Sequence, residues 1–498
     1  MAVQTMKDII NYAADAYKGQ SAFRYKIRKE VFSKTYEEVK RDSESVSCIL
    51  EHAGMLGCHA AVIGPTSYEW VISYFGVANS GGVVVPVDVQ LPAAEVCELL
   101  NRADVTILFY DELRSDVAEL AKTACPKVER MVSMQTELPK LLTEQGGSFD
   151  TGIDPDKLCA ILFTSGTTGK SKGVMLTHRN LTDNAVSVDM KIPAGTVSMT
   201  LLPIHHAYCF TMDILKGLYI GLTICINDSI MHVSRNMKLF KPEIVLLVPM
   251  VIESIYGKLK ESGGILPKKM VAKAAFGGNL HTICSGGAYL DPDYVDKFKE
   301  YGITILQGYG MTECSPVIST NLEWDMKKES VGILIPNCEA KVVDEEIWVR
   351  GSSVMMGYYQ MPEETKEALE DGWLKTGDLG YVDEDGFVFI TGRKKNLIIL
   401  ANGENVSPEE LENQLSKDSL VKEILVSAEG SQIMAEIFPD YDYAKKKHIK
   451  DIPEALQKVV DEYNKNTPPF KKISQLKVRE TEFDKTPSKK IKRNQSAT

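Results

Sequence analysis

The sequence predicts an α/β fold: a large N-terminal domain of parallel-rich sheets with a β-rich subdomain, then a small α+β C-terminal domain. Three observations carry this reading. The chain has 498 residues, several times the ~150 of an ordinary domain, so more than one core is expected. Short apolar, β-branched runs alternate with segments of helical periodicity, the pattern of parallel strands covered by helices. The texture then changes twice: short strands between Gly and Asp turns run from about Trp324 to Ile390, and strand–helix alternation returns after Arg393. The simplest division is 1–392, with 324–392 as its β-rich part, and 393–498.

In chain order, the opening MAVQTMKDIINYAADAYKG reads as an amphipathic helix; it lacks the basic start and apolar block of a leader segment. Strands are expected at 60–64, 82–87, 105–110, 159–164, 223–227, 243–249, 281–286 and 303–310. Helices are expected from Tyr36 to His52, Ser67 to Asn79 and Met250 to Glu261. The apolar run from Ile244 to Ile252 is broken by Pro249 and falls well short of the ~18 residues of a membrane span, so it reads as a buried strand. Further on, ENVSPEELENQL starts a helix, KEILVSA is a strand and Ile452 to Asn464 is a helix. AKKKHIK (444–450) reads as a solvated helix face. No internal repeat or low-complexity linker is present.

Apolar residues make up 44% and charged residues 25%, which excludes a disordered tail, a collagen-like chain and a disulfide-stapled miniprotein. Lys and Arg number 57 against 68 Asp and Glu, a net charge of −11. That balance offers no footprint for nucleic acid; only Lys489 to Arg493 is densely basic. Ten cysteines spread from Cys48 to Cys338 without a C-x-x-C pair, so buried thiols in a reducing cytoplasm are expected rather than zinc sites or disulfides.

The most informative segment is CAILFTSGTTGKSKGVMLTHRN, from Cys159 to Asn180. A buried strand enters a loop of glycines, hydroxyls and lysines, and a helix begins near Thr177. Glycines allow positive φ angles that turn successive N–H groups toward an anion. Thr164, Ser165, Thr167 and Thr168 add hydroxyls around Gly166 and Gly169, and Lys170 and Lys172 add charge. Phosphate of a nucleotide is the expected guest; a plain surface loop is the alternative. A Walker loop is excluded, because Gly169-Lys170-Ser171 would need glycine where Thr164 stands. His205 and His206 are adjacent on what reads as an extended segment, so they face opposite ways and do not share a metal ion.

The chain resembles the adenylate-forming enzymes, which include acyl-CoA synthetases, coumarate–CoA ligases and luciferases. TSGTTGKSKGV looks like their phosphate loop, with Ser171 at a usual proline. LPIHHAY (202–208), SGGAYL (285–290), QGYGMTE (307–313), GSSVMMGYY (351–359), WLKTGDLG (373–380), GRKKNLIILANGENVSPEELE (392–412) and KTPSKKIKR (485–493) each match a family motif, in order. Fatty-acid–CoA ligases are the nearest branch, through GYYQMPEETKEAL and GENVSPEELE.

The resemblance implies a role for each matching residue. Thr312 contacts phosphate and Glu313 binds Mg²⁺, whose hard oxygen preference a carboxylate suits; taken alone this pair reads as a helix cap. Gly308, Tyr309, Gly310 and Met311 form one wall of the adenine slot, and Gly287, Ala288 and Tyr289 the other. Asp378, which alone reads as a β-turn residue, accepts the ribose hydroxyls, and Arg393 reaches ribose or phosphate. His206 gates the carboxylate entrance, and Tyr208, Val248, Gly286, Gly310 and Met311 line the acid pocket. Lys490 is the catalytic lysine, with Lys489 at a usual glycine. Lys395 is the hinge of a mobile C-terminal domain, and Gly403 lines the coenzyme A passage. Cys58-His59 departs from the family's usual Asp-Arg.

The implied reaction joins a carboxylic acid to AMP with release of pyrophosphate, then passes the acyl group to a thiol. His206 stands where amino-acid-activating relatives carry aspartate, which disfavours an amino acid. The expected acid is a medium- or long-chain fatty acid, with an aryl acid second. Coenzyme A is favoured over a carrier-protein phosphopantetheine, since no insertion follows Arg393. A non-catalytic nucleotide-binding regulator is the rival class. No nucleic acid and no stable membrane insertion are expected.

Overall fold

Three helices begin where a threonine is followed three residues later by Asp, Glu or Asn. Thr5, Thr35 and Thr177 cap Met6–Ala16, Tyr36–His52 and His178–Ser187, and in each case both hydrogen bonds of the capping box form. The computed structural model describes residues 3–164, 171–262, 266–400, 404–429, 432–465, 467–485 and 491–493. The chain folds as two units. One comprises Met1–Lys341, Trp348–Lys375 and Asp383–Val388; the other comprises Val342–Ile347, Thr376–Val382 and Phe389–Thr498.

The first unit holds two large sheets. In the nine-stranded sheet, Thr304–Gly310, Thr282–Ser285, Ile244–Leu247, Val197–Thr200, Thr223–Ile226 and Ser21–Ile27 lie side by side and parallel. Val317–Thr320 and Ile333–Leu334 extend it antiparallel at one edge, and Glu30–Thr35 does so at the other. In the seven-stranded sheet, Leu158–Thr164, Val83–Val87, His59–Ile63, Ile107–Tyr110 and Arg130–Ser133 run parallel. Lys172–Thr177 and then Gly357–Tyr358 continue it antiparallel. Both sheets bury β-branched and aliphatic side chains against covering helices, as in Val245, Ile283 and Ile305 of the first and Ala61, Val85 and Leu108 of the second.

All eight expected strands are present, with bounds shifted by one or two residues. The 244–252 run is a correction: the strand ends at Leu247 and Pro249 opens the helix Pro249–Ser262, a position where proline's missing N–H costs nothing. The hairpin Ser21–Ile27/Glu30–Thr35 has no strong apolar signal, because its second strand is largely exposed.

In the second unit, Val421–Glu429, Gln432–Pro439 and Ile473–Val478 form a three-stranded sheet. Helices Pro408–Leu415 and Ile452–Lys465 pack on it through Leu411, Leu415, Leu456 and Val460. All ten cysteines are free, and only Cys58 and Cys284 are less than fully buried. Among the described residues no helix is long and apolar enough to cross a membrane.

Candidate active site

The segment expected to bind phosphate leaves and rejoins the sheet through two antiparallel strands, with Thr164 opposite Lys172. Thr164 and Lys172 are the described ends; Ser165, Gly166, Thr167, Thr168, Gly169 and Lys170 lie outside the described residues. Arg102 fixes the returning strand, donating to the Ser171 carbonyl at 2.6 Å, while its guanidinium lies over the Phe163 ring. Gly173 follows because a Cβ there would come within 2.9 Å of Ile161. The Lys172 ammonium sits 4.7 Å from the centroid of the Tyr358 ring.

Glu313 follows the Thr304–Gly310 strand in a short 3₁₀ turn, Thr312–Cys314. Its Oε1 accepts a hydrogen bond of 2.9 Å from the Tyr358 hydroxyl. One aromatic side chain therefore touches both Lys172 and the carboxylate expected to hold the metal. Burial, then the Glu313 charge, push the Tyr358 phenol well above its ordinary range, so it stays a donor at any working pH.

Two asparagines that the sequence reading did not single out fix this turn. Asn184 donates to the carbonyls of Cys314 and Val317 and to Ser353, and accepts from the Val317 N–H. Asn180, one helical turn earlier, donates to the Ser352 and Val354 carbonyls. Both lie on the helix that starts after the phosphate loop. Asn at i and i+4 on a buried face was the available signal, because a buried amide needs partners.

Four adjacent parallel strands end on one edge, where open α/β sheets bind ligands. Leu247, Ser285 and Gln307 are in register across three of them. Val248, Gly286–Gly287–Ala288 and Gly308–Tyr309–Gly310–Met311 therefore emerge together, and the 201–208 segment follows the fourth strand. Contacts knit this edge. A Cβ on Gly286 would lie 3.0 Å from the Tyr208 ring, and one on Gly287 would lie 3.7 Å from Val248. Tyr208 donates to the Cys284 carbonyl at 3.3 Å. Gly310 has no room for a side chain, since a Cβ would stand 2.0 Å from the Pro316 carbonyl oxygen. Tyr289 is half exposed to solvent.

His205 and His206 correct the expectation of opposite faces. Their segment is a turn, not a strand, and the two rings lie 4.2 Å apart. Burial, with His206 beside it, pushes His205 down to about 3, so it is neutral at ordinary pH. No group of three His, Cys, Asp or Glu able to hold a metal occurs among the described residues. Asp213, whose charge is felt at Tyr208, is buried and pushed up to about 8 by desolvation; no motif in the sequence marks this ionisable group.

The second unit holds Asp378 and Arg393, paired at 2.6 Å with the carboxylate almost fully buried. Glu346 forms a parallel arrangement: it accepts from the Gly377 N–H at 2.9 Å and from Lys394 at 2.8 Å. Gly377 is needed for its φ of +71°; a Cβ there would meet nothing within 4 Å, so close approach is not the reason. Lys395 is exposed in the 3₁₀ turn Lys394–Asn396. Gly403 and Lys490 lie outside the described residues, as does Lys489. Lys485 and Ile491, which flank 486–490, bridge each other.

Comparison with known proteins places these features in context. A family model described as AMP-binding enzyme matches residues 10–359, and one described as AMP-binding enzyme C-terminal domain matches 395–498. A long-chain-fatty-acid–CoA ligase of Mycobacterium bovis is 30% identical over 437 residues, covering 76% of this chain and 72% of that protein. A 4-coumarate–CoA ligase of Oryza sativa subsp. japonica is 31% identical over 443 residues, covering 81% and 76%. The fold matches that of an anthranilate CoA ligase solved with anthranoyl-AMP, with a TM-score of 0.84 and 20% identity over 99% of this chain and 96% of that one.

Proposed function

We propose, from the premise that this chain belongs to the AMP-binding enzyme family and is an AMP-forming acid–CoA ligase, that its acid is a medium- or long-chain fatty acid. ATP with Mg²⁺ activates the acid, and coenzyme A receives it. The observation that carries the reading is the gathering of Tyr208, Val248, Gly286 and Gly310 at one sheet edge, with Glu313 following and tied through Tyr358 to Lys172. A fatty tail is supported by the apolar character of Val248 and Met311 and by the similarity to the mycobacterial ligase. An aryl acid is the second reading, supported by the similarity to the rice ligase.

A carboxylate resists attack by a thiol because it is already negative. In the first step an acid oxygen attacks the α-phosphate of ATP, the bond to pyrophosphate breaks, and acyl-AMP forms. The acid is ionised, so no general base is required; the need is for positive charge where two anions meet. Lys490 supplies it at the acid and α-phosphate, and Lys170 and Lys172 supply it along the pyrophosphate. Thr312 donates to a phosphate oxygen, Asp378 accepts the ribose hydroxyls, and Arg393 supports the same sugar. Glu313 fits a divalent cation: one oxygen is oriented by Tyr358, and the other accepts no hydrogen bond from a described residue. Bound Mg²⁺ would lower the negative charge of the phosphates with few protein ligands.

In the second step the thiol sulfur attacks the acyl carbonyl and AMP leaves. The reading assigns Lys395 as the hinge on which 393–498 turns between the steps, and Gly403 to the pantetheine passage. The test is product analysis with ATP, Mg²⁺, coenzyme A and a graded series of fatty and aryl acids. AMP and acyl-CoA should form with kcat/KM highest for a medium or long alkyl chain; a preference for an aryl acid would transfer the assignment to the second reading. Lys490→Ala should slow adenylation ~10²–10³-fold, the cost of one preorganised charge donor, and spare thioester formation from supplied acyl-AMP. Equal loss in both half-reactions would overturn that division of labour.

A further inference from the structure

We propose that Tyr358 is a positioning residue that holds Glu313 ready for a divalent cation and seats Lys172 for phosphate, while keeping these two opposite charges apart. The inference rests on the reading of Glu313 as the metal-binding carboxylate. It begins from a peculiarity of charge. Lys172 is a phosphate-loop cation and Glu313 an anion one side chain away, yet they form no ion pair within 4 Å among the described residues. Instead the Lys172 ammonium lies over the face of Tyr358, 4.7 Å from its centroid, and the phenol at the ring's far end donates to Glu313 Oε1 at 2.9 Å.

The geometry gives each group a partner that a substrate can replace. A cation over an aromatic face is held by the ring quadrupole without being neutralised. A carboxylate accepting one phenolic hydrogen bond is oriented, yet keeps its charge for a metal. A direct Lys172–Glu313 pair would cancel both charges before ATP arrived. Phenol donation to a carboxylate also enriches the ring in electron density, so the two contacts reinforce each other.

Tyr358 can do this because its own position is over-determined. It is 7% exposed, and the Gly357–Tyr358 strand pairs with Met175 and Val174 next to the phosphate loop. Its N–H donates to Thr365 Oγ1 at 2.8 Å, and the next residue donates from Tyr359 N to the Gly173 carbonyl at 2.7 Å. Gly357, at φ +141°, has Thr365 where a Cβ would stand, at 2.6 Å.

Two substitutions separate the two contacts. Tyr358→Phe keeps the aromatic seat and removes the hydrogen bond; Tyr358→Leu removes both. ATP binding to the full chain is measured by calorimetry while Mg²⁺ is titrated, with no acid present. Tyr358→Phe should raise the half-saturating Mg²⁺ about ten- to a hundredfold, the effect of losing one hydrogen bond to a charged group, and change Mg²⁺-free ATP binding less than twofold. Tyr358→Leu should weaken ATP binding with and without Mg²⁺. In a Glu313→Gln background, Tyr358→Phe should add nothing further.

An unchanged Mg²⁺ requirement in Tyr358→Phe would overturn the inference. So would equal weakening with and without Mg²⁺, the mark of a merely structural role. If the wild-type chain binds ATP but Glu313→Gln leaves its Mg²⁺ requirement unchanged, the metal assignment of Glu313 fails, and the inference with it. Wild-type chain that binds no ATP under any Mg²⁺ would instead contradict the functional reading.

Discussion

The walls proposed for the nucleotide and for the acid stand on the same sheet edge but are built from different materials. On the nucleotide side, a Cβ on Gly310 would meet the main chain of Pro316 and Val317. Asn184 also anchors that turn through main-chain carbonyls and an N–H. On the acid side the neighbour of Gly286 is a side chain, Tyr208. Main chain at 2.0 Å cannot yield without moving a strand, whereas a ring can rotate or be exchanged. The Gly310 position is therefore fixed by the fold, and the Gly286 position is set by a replaceable side chain. This is the arrangement expected if the nucleotide is constant and the acid is the variable partner.

The sharpest way to break this comparison is to add one methyl group to each wall. Gly310→Ala should cost about 3 kcal/mol or more, the upper range for overpacking a closed site, and abolish ATP binding in the folded fraction. Chemical denaturation and ATP calorimetry measure both. A fully stable Gly310→Ala that binds ATP normally would refute the fixed wall.

A second test uses pH. His205 lies beside His206, the residue proposed to gate the acid entrance, with its folded value at about 3 against an ordinary 6.5. Between those values the unfolded chain binds a proton that the folded chain refuses, so this contribution to stability falls as pH drops below 6.5. From pH 6.5 to 5 the loss is about 1.6 kcal/mol, since the unfolded imidazole goes from half to almost fully protonated. His205→Gln should remove that slope, as read from denaturation midpoints across pH; an equal slope in the variant would place His205 in solvent.

The smallest expected effect is on the adjustable wall. Gly286→Ala pushes on the Tyr208 ring and should leave stability within about 1 kcal/mol, because a movable side chain absorbs it. It should shift acid preference by about tenfold, the scale of one methylene in a pocket, with KM for ATP unchanged. Coupled loss of ATP and acid binding would erase the distinction between the walls.

The same contrast explains what was legible in the sequence. Strand–helix alternation and the Gly-Thr-Lys loop are local patterns, and the eight strands emerged where apolar runs end in turn residues. Glu313 and Asp378 stood out only through the family resemblance, because alone they read as a helix cap and a β-turn residue. Tyr358 could not: its two partners are Lys172 and Glu313, 186 and 45 residues away, and nothing in GYYQ marks a bridge. Asn180 and Asn184 carry a local signal in their i, i+4 spacing, but their acceptors, carbonyls near residues 314–317 and 352–354, are too distant in sequence to be read from it. The paired histidines show the converse failure. Adjacent residues were assigned opposite faces from strand geometry, but Pro203 precedes a turn that aligns them.

The central claim is that an acid oxygen attacks the α-phosphate of ATP. The most direct measurement is turnover of acid labelled with ¹⁸O in both carboxylate oxygens, with ATP, Mg²⁺ and coenzyme A, followed by mass analysis of the phosphate products. The account predicts one labelled oxygen in AMP and none in pyrophosphate. Label in inorganic phosphate, formed together with ADP, would contradict it.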